Sequence, residues 1–232
     1  MTRTIAIIAV AGATGLAGAQ IATQNFDDNS TGARFTDNSS LVGGQFTDPG
    51  RTFDGTGLGW TLRWDDTRGT GSGGPVDGGE SGDFIGVTDF TGDVGSFTSG
   101  TQGFQFDDGD GALTLSFDSI DATGVSGLGL TFDLWVGDTT YESDDLFQVA
   151  VNGQPLLTLG EPELEAFPTG FTPLSIDLSG FDGQSSVQID FVVDTNSGSE
   201  TLYLDTVAVT PAPAGASLLA MGGLAGVRRR RA

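Results

Sequence analysis

The 232-residue chain carries 31 Asp and Glu side chains, no His and no Cys, and it contains no Lys. Those absences settle most of the available chemistry. Without His or Cys there is no Ser-His-Asp or Cys-His nucleophile and none of the usual zinc or haem ligands. Without Lys there is neither a Schiff base nor a P-loop. Two chemistries remain open to carboxylates. One is glycoside hydrolysis by a pair of acids across a cleft; it needs a separation that a sequence does not reveal, and the missing groups argue against an enzyme. The other is ligation of a hard cation by several oxygens. Glu142, Asp144 and Asp145 lie on a short segment entering a strand, where turn carbonyls can join carboxylates around a structural calcium ion. Solvated surface carboxylates are the competing reading. Asp107-Asp108-Gly109-Asp110-Gly111 lacks the spacing and distal Glu of an EF-hand and reads as a turn between strands.

The aromatic residues carry the ligand question. Trp60, Trp64 and Trp135, with Tyr141 and Tyr203, are candidates for a flat platform that stacks sugar rings. Trp60, Leu62 and Trp64 share one strand face, whereas Trp135 shares its face with Thr131 and Asp133. A Trp on the polar face of a strand favours exposure, so Trp135 leads as a binding residue. Packing into the core or under a covering loop is the alternative for each.

Charge and chain ends restrict partners and place. Arg3 and Arg228 to Arg231 sit at the ends, leaving Arg34, Arg51, Arg63 and Arg68 against all 31 acids in residues 20–210, a side-chain balance of 4 − 31 = −27. Such a surface repels nucleic-acid phosphates and anionic lipid and attracts cations. At the N-terminus, Arg3 precedes the apolar Ile5–Val10, and Ala17-Gly18-Ala19 is a small-x-small cleavage site, which predicts a signal peptide over 1–19. Export without cysteine means a fold held without disulfides, by a core that a single domain over 20–210 is large enough to build, with divalent cations as the other stabiliser open to many carboxylates. At the other end, Pro211-Ala212-Pro213 precedes an apolar run from Ala216 to Val227 and then Arg228, Arg229, Arg230 and Arg231. That run is short against the ~20 residues a spanning helix needs, and the arginines hold to the cytoplasmic side. The order of parts resembles the PEP-CTERM tail, a bacterial sorting signal recognised by the membrane protease exosortase. Alanine replaces the family's central glutamate. The resemblance implies an exosortase-like sorting protease as partner, transient membrane anchoring through 211–232 only, and a cell-surface or extracellular destination.

Between these ends the periodicity is that of strands. Leu113, Leu115 and Phe117 alternate with polar residues, as do Leu128 to Val136 and Val187 to Val193. Phe147, Val149 and Val151 lead through Asn152-Gly153 to Leu156, Leu157 and Leu159, a strong hairpin signal. Further strands are predicted at Leu58–Trp64, Phe84–Phe90, Gly103–Asp107 and Leu202–Val209, with a long loop over Gly69–Asp83, where seven residues are glycine. The pattern predicts an all-β, antiparallel jelly-roll sandwich, flanked by the signal peptide and a short C-terminal apolar helix.

Several segments also resemble a broad group of secreted bacterial jelly-roll domains of carbohydrate-binding-module type. They are Asp83-Phe84-Ile85-Gly86-Val87, the strand Leu113–Asp118, the Glu142-Ser143-Asp144-Asp145 segment and Leu204-Asp205-Thr206-Val207. The resemblance implies an extracellular sandwich and adds Asp205 to Glu142, Asp144 and Asp145 as a calcium ligand. The expected function is a non-enzymatic structural or adhesive surface protein. The alternatives are a module binding an exopolysaccharide and a carboxylate-only glycoside hydrolase.

Overall fold

The computed structural model describes residues 21–27, 45–46, 58–65, 67, 84–109, 111–137 and 140–211. The predicted signal peptide with Ala17 and Ala19, the loop over 69–83, and the tail with Pro213, Arg228, Arg229, Arg230 and Arg231 lie outside the described residues. Within them the chain forms β1 (Ala22–Gln24), β2 (Gln45–Phe46), β3 (Trp60–Asp65), β4 (Phe84–Thr88), β5 (Gly103–Asp107) and β6 (Gly111–Phe117). It continues with β7 (Leu128–Val136), β8 (Leu146–Val151), β9 (Gln154–Gly160), α1 (Glu161–Glu165), β10 (Thr172–Asp177), β11 (Ile189–Thr195) and β12 (Leu202–Pro211). Alternation translates directly into burial: every second residue of β6 and β7 is buried, because successive side chains leave opposite faces of a strand. The β8–β9 hairpin turns through Asn152 at φ 50° and Gly153 at φ 75°, the positive-φ pair that matches strand twist.

The strands form two antiparallel sheets. One has the order β10-β7-β12-β5-β4, with β1 also paired to β12; the other runs β2-β3-β6-β11-β8-β9. Thus β5 pairs with Leu202 to Leu204 of β12, while β1 pairs with Val207 to Val209. Between these two partners the β7–β12 register shifts, from Asp205↔Asp133 to Ala208↔Thr131, and Thr206 adopts φ 51°. The Leu204-Asp205-Thr206-Val207 motif is therefore a β-bulge, a device that re-aims a side chain. The sheets face each other across a phenylalanine-rich core. Phe132 of the first sheet meets Phe191 of the second edge-on at 5.1 Å, and Phe117 meets Phe191 at 5.7 Å. Connections β5–β6, β7–β8, β9–β10 and β11–β12 all pass between sheets and, by the antiparallel order, gather at one pole.

The structure departs from the sequence reading in several places. Strand β10 is only half-buried, in the pattern of an edge, so its alternation of Leu174 and Ile176 is too short to stand out. Strands β1 and β2 are shorter still. Val187 makes an isolated bridge to Ile120 rather than opening β11. The helix α1 has five residues, with Pro162 in its first turn and Leu164 buried. Strand β12 extends to Pro211, which pairs with Leu128; the first proline of the predicted sorting motif thus closes the sandwich.

Candidate functional site

The pole where the crossovers gather is strongly acidic. Glu142 and Asp145 lie on the β7–β8 connection and Glu200 on the β11–β12 connection. Each offers a carboxylate oxygen, and these oxygens all lie within 4.8 Å of one another. Glu142 is exposed, whereas Asp145 is 2% and Glu200 0% exposed. Local turns hold them. The Asp145 amide donates to the Glu142 carbonyl at 3.0 Å, and the Glu142 amide donates back to the Asp145 carboxylate. The Glu200 amide donates to the Ser197 carbonyl at 2.8 Å, and Glu200 Oε2 accepts from the Asn196 amide at 3.0 Å. Glu200 Oε1 is buried without a hydrogen-bond partner. Burial, then the charges of Asp145 and Glu142, push the Glu200 carboxyl up to about 7. Tyr141, buried beside them, is held well above the usual phenol range, first by burial and then by Glu200 and its acidic neighbours. Its amide donates to Glu165 of α1 at 3.1 Å.

Of the four sequence-predicted ligands, the structure brings together Glu142 and Asp145. Asp144 is exposed on the same turn and is not part of the group. Asp205 also lies apart. It is fully buried at the β12 bulge, where Oδ2 accepts from the Thr98 amide and hydroxyl, both at 2.8 Å, and from the Ser99 amide at 3.0 Å. Its Oδ1 accepts from the Thr206 amide at 2.7 Å. Burial raises its pKa, opposed by those hydrogen bonds. Asp205 thus clamps the β4–β5 loop over the outer face of its sheet. Glu200, the third member of the group, was missed in the sequence. The available signal was an acid ending the Ser-Gly-Ser turn just before the last strand.

The tryptophans separate as well. Trp60 is a core residue, 4% exposed and edge-on to Phe104 at 5.2 Å, which corrects its candidacy as a sugar platform. Leu62, next on the same strand face, is also buried, and an indole there fills volume that no ligand reaches. Of Trp64, the register alone is described: it pairs with Leu113. Trp135 is half-buried on the outer face of β7, edge-on to Tyr203 at 5.4 Å. Tyr203 in turn meets Phe97 at 6.2 Å, and Phe97 meets Phe171 at 6.3 Å. The Tyr203 hydroxyl donates to Asp93 of the clamped loop at 2.8 Å. Trp135 is therefore both partly exposed and supported from beneath by an aromatic cluster. The close approach of Gly137 to Thr201, whose carbonyl would lie 2.8 Å from an added Cβ, lets β7 pass beside the start of β12.

Between the acidic pole and this face lies Asp107, which accepts from the Thr201 hydroxyl at 3.0 Å and the Gln105 amide at 3.3 Å. Burial pushes its carboxyl up to about 7, with Asp108 and Asp93 adding to the rise.

No protein-family model and no curated protein matches the chain. Among solved structures, it is similar to TmCBM61 in complex with β-1,4-galactotriose, at 10% identity and a TM-score of 0.41 over 66% of this chain and 88% of that one. The K1 cleaved adhesin domain of Lys-gingipain from Porphyromonas gingivalis W83 gives 16% identity and a TM-score of 0.42 over 66% and 91%. Family 16 carbohydrate binding module-2 gives 14% and 0.36 over 60% and 91%. At such scores the likeness assigns neither ligand nor site, and the sandwich is defined by its own strand register.

Proposed function

We propose that this chain is an exported, non-enzymatic β-sandwich of the cell surface or extracellular matrix. Its contact surface is the outer face that carries Trp135, and its ligand class is extracellular polysaccharide. The observation behind this reading is the half-buried Trp135 ring, propped edge-on by Tyr203 and flanked on its strand by Asp133 and Thr131. A flat apolar ring beside fixed hydrogen-bonding groups is the combination that sugar rings require. The missing His, Cys and Lys support a binding rather than a catalytic role. The acidic surface disfavours nucleic acid and anionic lipid, so membrane contact is confined to the C-terminal segment.

Titration of the protein with neutral and acidic oligosaccharides, read by tryptophan fluorescence, tests the binding role. A saturable change that Trp135→Ala abolishes while leaving the circular dichroism intact is expected. No response across the panel would leave a purely structural surface role and remove the glycan reading. Export rests on the signal-like N-terminus and the three-part tail. Mass spectrometry of the protein recovered from the envelope should find it starting at Gln20 and lacking the Arg228–Arg231 cluster. Recovery of only the uncleaved chain would count against an exosortase-like processing partner.

A further inference from the structure

We propose that Glu142, Asp145 and Glu200 form a divalent-cation site, suited to calcium, that ties together two sheet-to-sheet crossovers of the sandwich. Two independent observations converge on it. Three carboxylate oxygens, two from one turn and one from a distant crossover, approach within 4.8 Å of one another. And Glu200, a member of this group with no exposed surface, keeps one carboxylate oxygen without a hydrogen-bond partner. A buried carboxylate oxygen without a donor is costly, and neighbouring carboxylates make it more so. Among the described residues no donor reaches that oxygen. Arg63, the one basic residue among the described residues, is an exposed partner of Asp65.

A hard cation would satisfy that oxygen together with its neighbours. Oxygens bound to one calcium ion lie about 2.3–2.6 Å from it and hence at most about 5 Å from each other, a span that the three carboxylates already satisfy. Exposed Glu142 leaves one side open for water, which would help complete the six to eight ligands calcium takes. The position also has a consequence for the fold. Residues 137–145 carry the chain from the first sheet to the second, and 196–201 carry it back. An ion shared between them cross-links two connections that are far apart in sequence, and a cross-link closing a long loop restricts the unfolded chain most.

The test is calorimetric titration of the purified full chain with calcium chloride after chelator treatment, with thermal unfolding alongside. Wild type should bind one saturable equivalent and melt higher in calcium than in equal magnesium. Glu200→Gln and Glu142→Gln should each weaken that binding at least about tenfold, since affinity follows the number of charged ligands. Asp205→Asn should keep it. Because Glu142 is exposed, Glu142→Gln decides the matter if Glu200→Gln fails to fold. An unchanged titration in Glu142→Gln, no saturable equivalent in wild type, or equal melting shifts from both ions would overturn the proposal.

Discussion

Asp205 and Glu200 are both fully buried acids, one within β12 and one just before it, yet their surroundings are opposite. Asp205 sits in a bulge whose backbone, with that of the β4–β5 loop, points three amides and a hydroxyl at it. Glu200 receives one amide on one oxygen, faces two further carboxylates, and keeps its other oxygen without a donor. The first is a latch, in which a charge is held by fixed dipoles and fastens a loop to a sheet. The second is a socket, in which carboxylates gather and one buried oxygen is left without a donor. Burial alone therefore does not tell a structural acid from a ligand; the inventory of donors around it does.

The tryptophans repeat the contrast in apolar form and yield the largest expected effect. Trp60→Ala should cost about 4 kcal/mol in chemical denaturation, as a large aromatic is removed from a packed interior. Trp135→Ala should cost about 1 kcal/mol, because the ring is half in water and rests on one principal neighbour. Equal costs would place both in the core and undo the outer-face reading. Next comes the latch. Asp205→Ala should lose about 3 kcal/mol by stranding the donors of Thr98, Ser99 and Thr206, with faster proteolysis in the β4–β5 loop and unchanged calcium binding.

The socket should respond with the reverse sign. At pH 8 in chelator, above the raised Glu200 value, Glu200→Gln should raise the melting temperature by about 2 °C, since a buried carboxylate beside two others is removed; in calcium the same variant should melt below wild type. A destabilisation in chelator like that of Asp205→Ala would make Glu200 another latch. The smallest effect concerns Asp107, whose carboxyl burial lifts from an ordinary 3.8 to about 7. The folded protein then keeps a proton that the unfolded chain has released, so this contribution to stability is greatest below the unfolded value and declines as pH rises toward 7. Asp107→Asn should flatten that decline, gaining about 2 °C on wild type at pH 8 relative to pH 5. Parallel pH profiles would show that Asp107 titrates normally.

Much of the sandwich was legible because burial on one face of a strand writes a period of two into the sequence. Strands β6, β7 and β11 carry that period over long enough runs, and Asn152-Gly153 encodes its own turn. Strands β1 and β2 are too short to show a period, and β10 sits at an edge where little burial enforces one. The cation group was half legible: Glu142 and Asp145 fall within one turn, so spacing alone places them together. Glu200 joins them only because the chain crosses between sheets twice at the same pole, a juxtaposition that no local spacing records. Asp205 looked like their companion, but the bulge that breaks β12 pairing supplied it with donors of its own.

By itself, then, the sequence determined that this is an all-β chain without histidine, cysteine or lysine, because composition and side-chain alternation are local properties. Only the tertiary structure decided which acids meet, which acid is satisfied, and which tryptophan faces water. Those outcomes depend on how two sheets stack and where their crossovers converge, and contacts between distant segments leave no periodic trace along the chain.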